Sequence, residues 1–202
     1  MEAYTALYKV WKDDGLRERL AKVINLITTK LYNSQTHHLI LYCDSNWNNL
    51  DDIDSYGHDI ETSWLLTEAA EALGDPEVIG KCRKVALELA DASLKEGINP
   101  MGAMMYERHK DKIRKDASWW CQAETVVECI NAWQLTGEQS YLDSAVRTWN
   151  FIKSRMIDKE YGEWFRTVLE DGTPRYKEPK ASMWNCPYHN SRMGFEIDTR
   201  LK

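Results

Sequence analysis

Three stretches of the chain share one layout, in which an apolar segment, a tight polar turn and a more amphipathic segment follow one another. The turns lie near Asp13, Gly74 and Gly137, so the layout recurs roughly every 62 residues, and a fixed period built of helix pairs is typical of repeat architectures. The sequence therefore predicts an all-α fold of helical hairpins.

The two helices of a hairpin differ in character. In the second repeat the first segment, residues 65–73, is apolar almost throughout. Its partner, which Pro76 opens, has an apolar stripe and a charged face. We expect an inner helix that packs on two sides and an outer helix with one face in water.

A strand-like or turn-rich stretch follows each outer helix, and these stretches are HHLILYCDSNWNNL, GAMMYERHKDKIRK and GEWFRTVLEDGTPRY. Every helical hairpin returns the chain to the same side, so the stretches and the starts of the inner helices should share one rim. A fourth inner helix is predicted to begin near Pro187. The polar and aromatic residues at these starts are Tyr56, His58, Glu61, Trp64, Trp119, Trp120, Glu124, His189 and Arg192.

The spacing of these residues groups them on helix faces. His58, Glu61 and Trp64 are three residues apart, and Trp120 and Glu124 are four apart, so each set lies on one face. Two histidines, two glutamates and several tryptophans are therefore expected to point into one cavity.

Four segments of the sequence, SYGHDIETSWLL, SWWCQAE, GEWF and CPYHNSRM, resemble motifs of the N-acylglucosamine 2-epimerase and cellobiose 2-epimerase family. They also follow one another in the order and at the spacing of that family. The likeness covers essentially the whole chain and corresponds to the C-terminal half of a family member. It implies an (α/α)6 barrel with an inner and an outer ring of helices and short β-hairpin-like loops at one end. About half of that toroid would be present, as a single domain over residues 1–202.

The resemblance also implies a function, inversion at C2 of a reducing mono- or disaccharide or aldose–ketose interconversion. His58 and His189 would remove and return the C2 proton through an enediolate, a role that suits imidazole because it titrates near neutral pH. Glu61 and Glu124 would orient the histidines or hold sugar hydroxyls. The residues implied to contact the sugar are Tyr56, Trp64, Trp119, Trp120, Trp184 and Arg192. No metal or other cofactor is implied.

Departures from the family pattern keep a second hypothesis open. The resemblance implies an arginine that supports the oxyanion, and a further histidine, in a half that this sequence does not contain, and charge stabilisation is often the largest catalytic term. Asn185 stands where the family pattern has lysine. The chain could thus be an impaired fragment or a sugar-binding or assembly subunit, with a second copy or a separate N-terminal half covering its open edges. A glycoside hydrolase ranks lower, because its mechanism leaves the two histidines without a role.

Composition narrows the partners and the compartment. The formal net charge of −6 disfavours nucleic acid, and no apolar run approaches a membrane span. The five cysteines form no C-x-x-C pair, which favours reduced thiols in a cytoplasmic protein.

Other histidines and tryptophans have plainer interpretations. Lying in polar connecting stretches, His37, His38 and His109 are expected to be solvated. Trp11, Trp133 and Trp149 occur at helical spacing among apolar residues and are expected in the core.

Overall fold

Seven α-helices dominate the computed structural model, which describes residues 1–202. They are α1 (Glu2–Val10), α2 (Asp14–Leu26), α3 (Tyr56–Leu73), α4 (Pro76–Gly97), α5 (Trp119–Thr136), α6 (Gln139–Phe151) and α7 (Tyr188–Arg200). The prediction of an all-α chain is confirmed, and α7 begins one residue after Pro187, as expected.

The helices pair as predicted. Helices α1 and α2, α3 and α4, and α5 and α6 pack as hairpins, and α1, α3, α5 and α7 contact one another in that order as the inner layer. Gly74 and Gly137 end α3 and α5 with φ of 79° and 76°, a left-handed conformation that costs glycine little. Asp75 then caps α4 by accepting hydrogen bonds from the backbone of its first turn.

Short antiparallel strands lie where the inner helices begin. They are β1 (Tyr32–Asn33), β2 (His38–Leu39), β3 (Ile53–Asp54), β4 (Glu107–His109), β5 (Lys112–Arg114), β6 (Ala117–Ser118) and β7 (Thr167–Val168). They form three sheets, β1–β2, β3–β4–β5 and β6–β7. Strand β3 ends two residues before α3, and β6 ends directly before α5, so the sheets fix the starts of both helices.

The inner helices α3 and α5 bury more of their residues than the outer helices do. Twelve residues of α3 and fourteen of α5 are buried, whereas α4 and α6 bury one stripe each. The two end members of the inner layer are exceptions, since α1 buries only Thr5 and Tyr8 and α7 buries only Met193. No further inner helix of this chain packs on the far side of either one.

The prediction of a core position is wrong for two of the three tryptophans. Trp11 is 58% exposed, at the end of α1, and Trp149 is 36% exposed, on α6. Trp133 is half-buried near the end of α5. Trp11 and Trp149 lie at the two edges of the helical array, where this chain supplies no second layer.

The prediction that His38 is solvated is also wrong. Its side chain is buried, and its Nδ1 lies 2.8 Å from the carboxylate of Asp59, which also accepts the backbone N–H of Leu39. Burial opposes the charged form of His38, but the carboxylates of Asp59, Asp54 and Glu96 together outweigh it and raise the pKa. Burial also raises the pKa of Asp59 to about 6. His109 is exposed as expected, and His37 is half-buried.

The segment HHLILYC that contains His38 therefore anchors β2 to the first turn of α3, beside His58.

None of the helices is both long and apolar enough to cross a membrane.

Close contact between α3 and α5 depends on Gly57. A Cβ atom there would lie 2.5 Å from the Sγ of Cys121 and 2.5 Å from the indole of Trp120. Both neighbours are themselves buried, so they have little room to move. The absent side chain of Gly57 thus sets how closely the two central helices approach each other.

Replacement of Gly57 by alanine is expected to destabilise the protein by about 1–3 kcal/mol, the usual cost of overpacking a core. Urea denaturation followed by circular dichroism measures this. The matched control is Gly80→Ala on the exposed face of α4, where a Cβ meets nothing within 4 Å. There alanine should stabilise by about 0.5–1 kcal/mol through its helix propensity. Equal stability changes in the two variants would contradict the packing argument.

Candidate active site

A cleft with a volume of about 360 Å³ opens at the rim where α3, α5 and α7 begin. This volume lies within the range of about 300–1,000 Å³ that is common for small-molecule sites. Among its lining residues are His58, Glu61, Trp119, Trp120, Trp184 and His189. The rim predicted from the sequence therefore brings the two histidines and three of the tryptophans together.

His189, in the first turn of α7, is oriented by a buried carboxylate. Its Nδ1 lies 2.7 Å from Oε1 of Glu124, whose side chain is 1% exposed. A carboxylate only accepts hydrogen bonds when ionised, so Nδ1 carries the proton and Nε2 is left free as a base. The imidazole also packs edge-on against Trp119 and Tyr188.

His58, in the first turn of α3, has a different partner. Its Nδ1 lies 2.6 Å from the hydroxyl of Ser55, which precedes α3 and uses its side chain for this bond instead of capping the helix. The surrounding walls desolvate the imidazole, and positive charge on His189 adds to this effect, so the pKa of His58 is lowered. Trp120 lies between the histidines, with ring centroids 4.9 Å from His58 and 5.6 Å from His189.

Arg192 links the carboxylates beside the histidines. One of its terminal nitrogens donates to Glu61 and, over 2.8 Å, to Oε1 of Glu124. The other donates to Glu2 on α1 over 2.6 Å and to the hydroxyl of Tyr188 over 2.7 Å. The carboxylates raise the pKa of the guanidinium further above its usual range, so Arg192 is a fixed positive charge.

Of the three carboxylates that pair with Arg192, Glu61 is the one that lines the open cleft. Its burial raises the pKa, and the charge of Glu124 raises it further, whereas the bond with Arg192 acts in the opposite direction. The net direction is upward. Glu61 therefore holds a proton more readily than an exposed glutamate does.

Three of the predicted sugar-contacting residues lie outside the open cleft. Tyr56 is fully buried, and a Cβ on Gly97 would meet its ring at 2.8 Å, so its side chain does not line the cleft. Trp64 is 1% exposed and donates its indole N–H to Glu124 over 2.9 Å. Arg192 lies behind the carboxylates, above the Trp64 ring. Trp64 and Arg192 thus support Glu124, and neither lines the cleft.

The remaining predicted residues are on the cleft wall. Trp119 and Trp120 have only small exposed areas, whereas Trp184 is 74% exposed. The segment that carries Trp184 is held by Asn185, which is buried and donates its side-chain amide to the carbonyl of Pro179. Asn185 therefore stabilises this loop and does not reach into the cleft.

Sequence reasoning missed several residues of the site. Ser55 could have been found, because it stands three residues before His58 in the same motif. Tyr106, Arg114, Asp116 and Arg166 also line the cleft. They come from loop stretches whose position depends on strand pairing, and the sequence offers no signal for that pairing.

Two groups of three donors are close enough together to hold a cation. One is Glu61, Glu124 and His189, and the other is His38, Asp54 and Glu96. In each group an arginine already pairs with carboxylates, Arg192 in the first and Arg108, through Asp54, in the second. A metal ion at either place would compete with a guanidinium that is already seated.

The arrangement is suited to proton transfer at one carbon. Two imidazoles face one cleft, and each has its Nδ1 engaged by the protein, which leaves two Nε2 atoms for a bound molecule. Flat indole surfaces beside them suit the C–H face of a sugar ring.

Comparison with known proteins agrees with this arrangement. A family model described as N-acylglucosamine 2-epimerase (GlcNAc 2-epimerase) matches residues 1–190. The cellobiose 2-epimerase of Bacteroides fragilis is 42% identical over 199 residues, which cover 98% of this chain and 50% of that protein. The chain spans about half the length of the curated relatives it matches.

Solved structures show the same relation. The crystal structure of a sugar epimerase from a ruminal bacterium matches with a TM-score of 0.96 at 38% identity, covering 98% of this chain and 51% of that one. The cellobiose 2-epimerase of Bacillus thermoamylovorans B4167 matches with a TM-score of 0.93 at 36% identity and the same coverage. The predicted fold class, helical hairpins of an (α/α)6 barrel, is confirmed over about half of that toroid, and the chain belongs to the N-acylglucosamine 2-epimerase family.

Proposed function

We propose that this chain provides the proton-transferring half of a sugar 2-epimerase that acts at C2 of a reducing mono- or disaccharide. The observation that carries the proposal is the pair of histidines on one cleft, each held at Nδ1 and free at Nε2. The names of the relatives, cellobiose 2-epimerases, support this class of reaction.

The chemistry needs one base on each side of C2. A neutral imidazole takes the C2 proton and becomes imidazolium, and the electron pair moves into the enediolate. The second histidine, which starts protonated, then delivers its proton to the opposite face. The two histidines end with their protonation states exchanged, and proton exchange with water resets them.

The two partners of the histidines serve this cycle differently. Glu124 accepts the Nδ1 proton of His189 whether or not Nε2 carries a proton, so it holds the ring in one orientation through the cycle. The Ser55 hydroxyl can both donate and accept, so it keeps its bond to His58 whichever Nδ1 state is present. The lowered pKa of His58 favours its neutral form at the start of the reaction.

Each histidine should serve one epimer. C2 epimers present the C2 proton on opposite faces, so a base on one side can remove it from only one of them. We expect His58→Ala to abolish exchange of the C2 proton with deuterium for one epimer of a pair, glucose and mannose or cellobiose and its C2 epimer. His189→Ala should abolish it for the other. Proton NMR in heavy water measures both rates.

The control for this experiment is His109→Ala, which removes an exposed loop histidine and should leave both rates unchanged. The expected losses are at least about 100-fold, the usual contribution of general acid–base catalysis. Exchange in the unmodified chain that survives both histidine replacements would overturn the proposal, and so would the absence of exchange in a folded chain with every sugar tried.

Glu124 should matter through its charge, and Glu128 offers a matched comparison one helical turn further on. Burial raises the pKa of Glu128 to about 8, so its side chain is neutral at pH 7, and its Oε1 has no hydrogen-bond partner. We expect Glu124→Gln to lower the exchange rate by about 100-fold or more. Glu128→Gln replaces one neutral group by another and should change the rate less than about threefold. Rates at pH 7 and urea denaturation of both variants test this, and equal rate losses would contradict it.

A second candidate function, an assembly subunit, is favoured by the apolar edges of the array. A groove between α5, α6 and α7 is lined by nine apolar residues out of eleven, and on α1 the side chains of Leu7, Val10 and Trp11 are 43%, 84% and 58% exposed. Exposed apolar surface of this kind marks an interaction site. The half of the toroid that the relatives have in addition would cover it, and so would a second copy.

Association should therefore depend on these edges. The isolated chain is expected to sediment or scatter light as a species larger than its own mass of 23.6 kDa. Val146→Glu, on the wall of the groove, should shift it toward that mass. Tyr161→Glu, equally charged but on an exposed loop away from both edges, should not. A folded chain that stays strictly monomeric at high concentration would rule out this second function.

A further inference from the structure

Two arginines on the outer wall of the cleft have no acidic partner. Arg114 ends β5 and Arg166 directly precedes β7, and both line the same cleft as the histidines. Their backbones are fixed, since Tyr106 N–H donates to the carbonyl of Arg114 and Trp119 N–H donates to that of Arg166, both over 3.0 Å. The side chains of both arginines make no hydrogen bond or ion pair within the chain.

The guanidinium groups rest on aromatic rings. Cζ of Arg114 lies 4.4 Å from the centre of the Tyr106 ring, and Cζ of Arg166 lies 5.9 Å from that of Trp119. A ring stacked under a guanidinium holds its plane and leaves the N–H edge free to bind. Such an edge matches the two oxygens of a carboxylate or phosphate.

The charge of these arginines is not neutralised by the cleft wall. Asp116 is the carboxylate on this part of the wall, and it is occupied by Arg175 over 2.8 Å. Burial raises the pKa of Tyr106, the charge of Glu107 adds to that rise, and the charges of Arg114 and Arg166 act against it. The Tyr106 hydroxyl has no partner within the chain either, and it adds a donor to the wall.

This pattern differs from that around the reacting carbon. Near the histidines the cleft presents Glu61, whose ion pair with Arg192 leaves no free cation for an anion there and whose oxygens suit neutral hydroxyls. On the outer wall it presents two unpaired cations and a phenol. The arginines rest on Tyr106 and Trp119, which in turn pack against Trp120 and His189, so a layer of aromatic rings lies between the two cations and the histidines.

We propose that Arg114, Arg166 and Tyr106 bind an anionic group, a carboxylate or a phosphate, on the sugar ring that follows the reducing end. The preferred substrate is then an acidic disaccharide with a neutral reducing ring. This inference rests on the proposed function for the identity of the reacting ring, whereas the anion site itself does not depend on catalysis.

The test compares three disaccharides that differ in one group, cellobiose, glucuronosyl-β-1,4-glucose and cellobiose phosphorylated at C6 of its non-reducing ring. Binding is measured by quenching of tryptophan fluorescence, and C2 exchange by NMR in heavy water. At least one acidic sugar should bind tenfold or more tightly than cellobiose, and this preference should weaken as sodium chloride is added. Whichever acidic sugar binds more tightly identifies the anion.

Variants distinguish binding by Arg114 and Arg166 from the general effect of removing a positive charge. Arg166→Gln and Arg114→Gln should each reduce the ratio of acidic to neutral affinity at least tenfold. Arg83→Gln removes an exposed arginine of α4 that pairs with Glu71, and it should leave the ratio unchanged. Equal affinity for the three sugars, or no binding of the acidic ones, would overturn the inference. An acidic sugar that binds tightly while no sugar exchanges its C2 proton would support the anion site and contradict the proposed function alone.

Discussion

The ion pairs of Arg192 hold the inner helices in register around the site. This guanidinium on α7 contacts Glu2 on α1, Glu61 on α3 and Glu124 on α5, so one side chain joins all four inner helices. Two of these carboxylates are largely buried, and without the cation their mutual repulsion and desolvation would be uncompensated. The loss of one partner from such a buried set costs about 3–5 kcal/mol. The position of His189 follows from the same contacts, because Glu124 binds both groups.

The residues that stabilise the packing of the inner helices therefore also position the candidate site. Trp64 lies under Arg192 and donates to Glu124, and it is one of the largest fully buried side chains. On the other side, Gly57 lets Trp120 pack against the first turn of α3, beside His58. The orientation of each imidazole is thus fixed by groups in the core, and a rigid first contact layer of this kind is what precise proton transfer requires.

The hairpins and the rim could be predicted because they depend on local periodicity, and the polar groups at the rim follow from where inner helices begin. Contacts over long separations could not. Arg192 and Glu2 are 190 residues apart in the sequence. His38 bonds to Asp59, although it lies in a polar stretch whose composition predicts that its side chain is exposed to solvent. Helical spacing places Trp11 and Trp149 on apolar faces but does not reveal whether a second layer covers those faces. Tyr56 shows the same limit, because the first residue of an inner helix can turn toward the outer helix instead of the cleft.

The two histidines have chemically different hydrogen-bond partners, and this difference bears on which histidine starts the proposed reaction as the base. Glu124 accepts the Nδ1 proton of His189, whereas Ser55 offers His58 no charge, and desolvation penalises the charged form of His58 and lowers its pKa. Before a sugar binds, the neutral form of His58 is therefore favoured. In the reaction proposed above, the neutral His58 is ready to act as the base for the epimer whose C2 proton faces it. The opposite epimer instead needs His58 to donate a proton, and desolvation disfavours the protonated form of His58. The maximal rates for the two epimers should therefore differ, even though the overall equilibrium is set by the sugars alone.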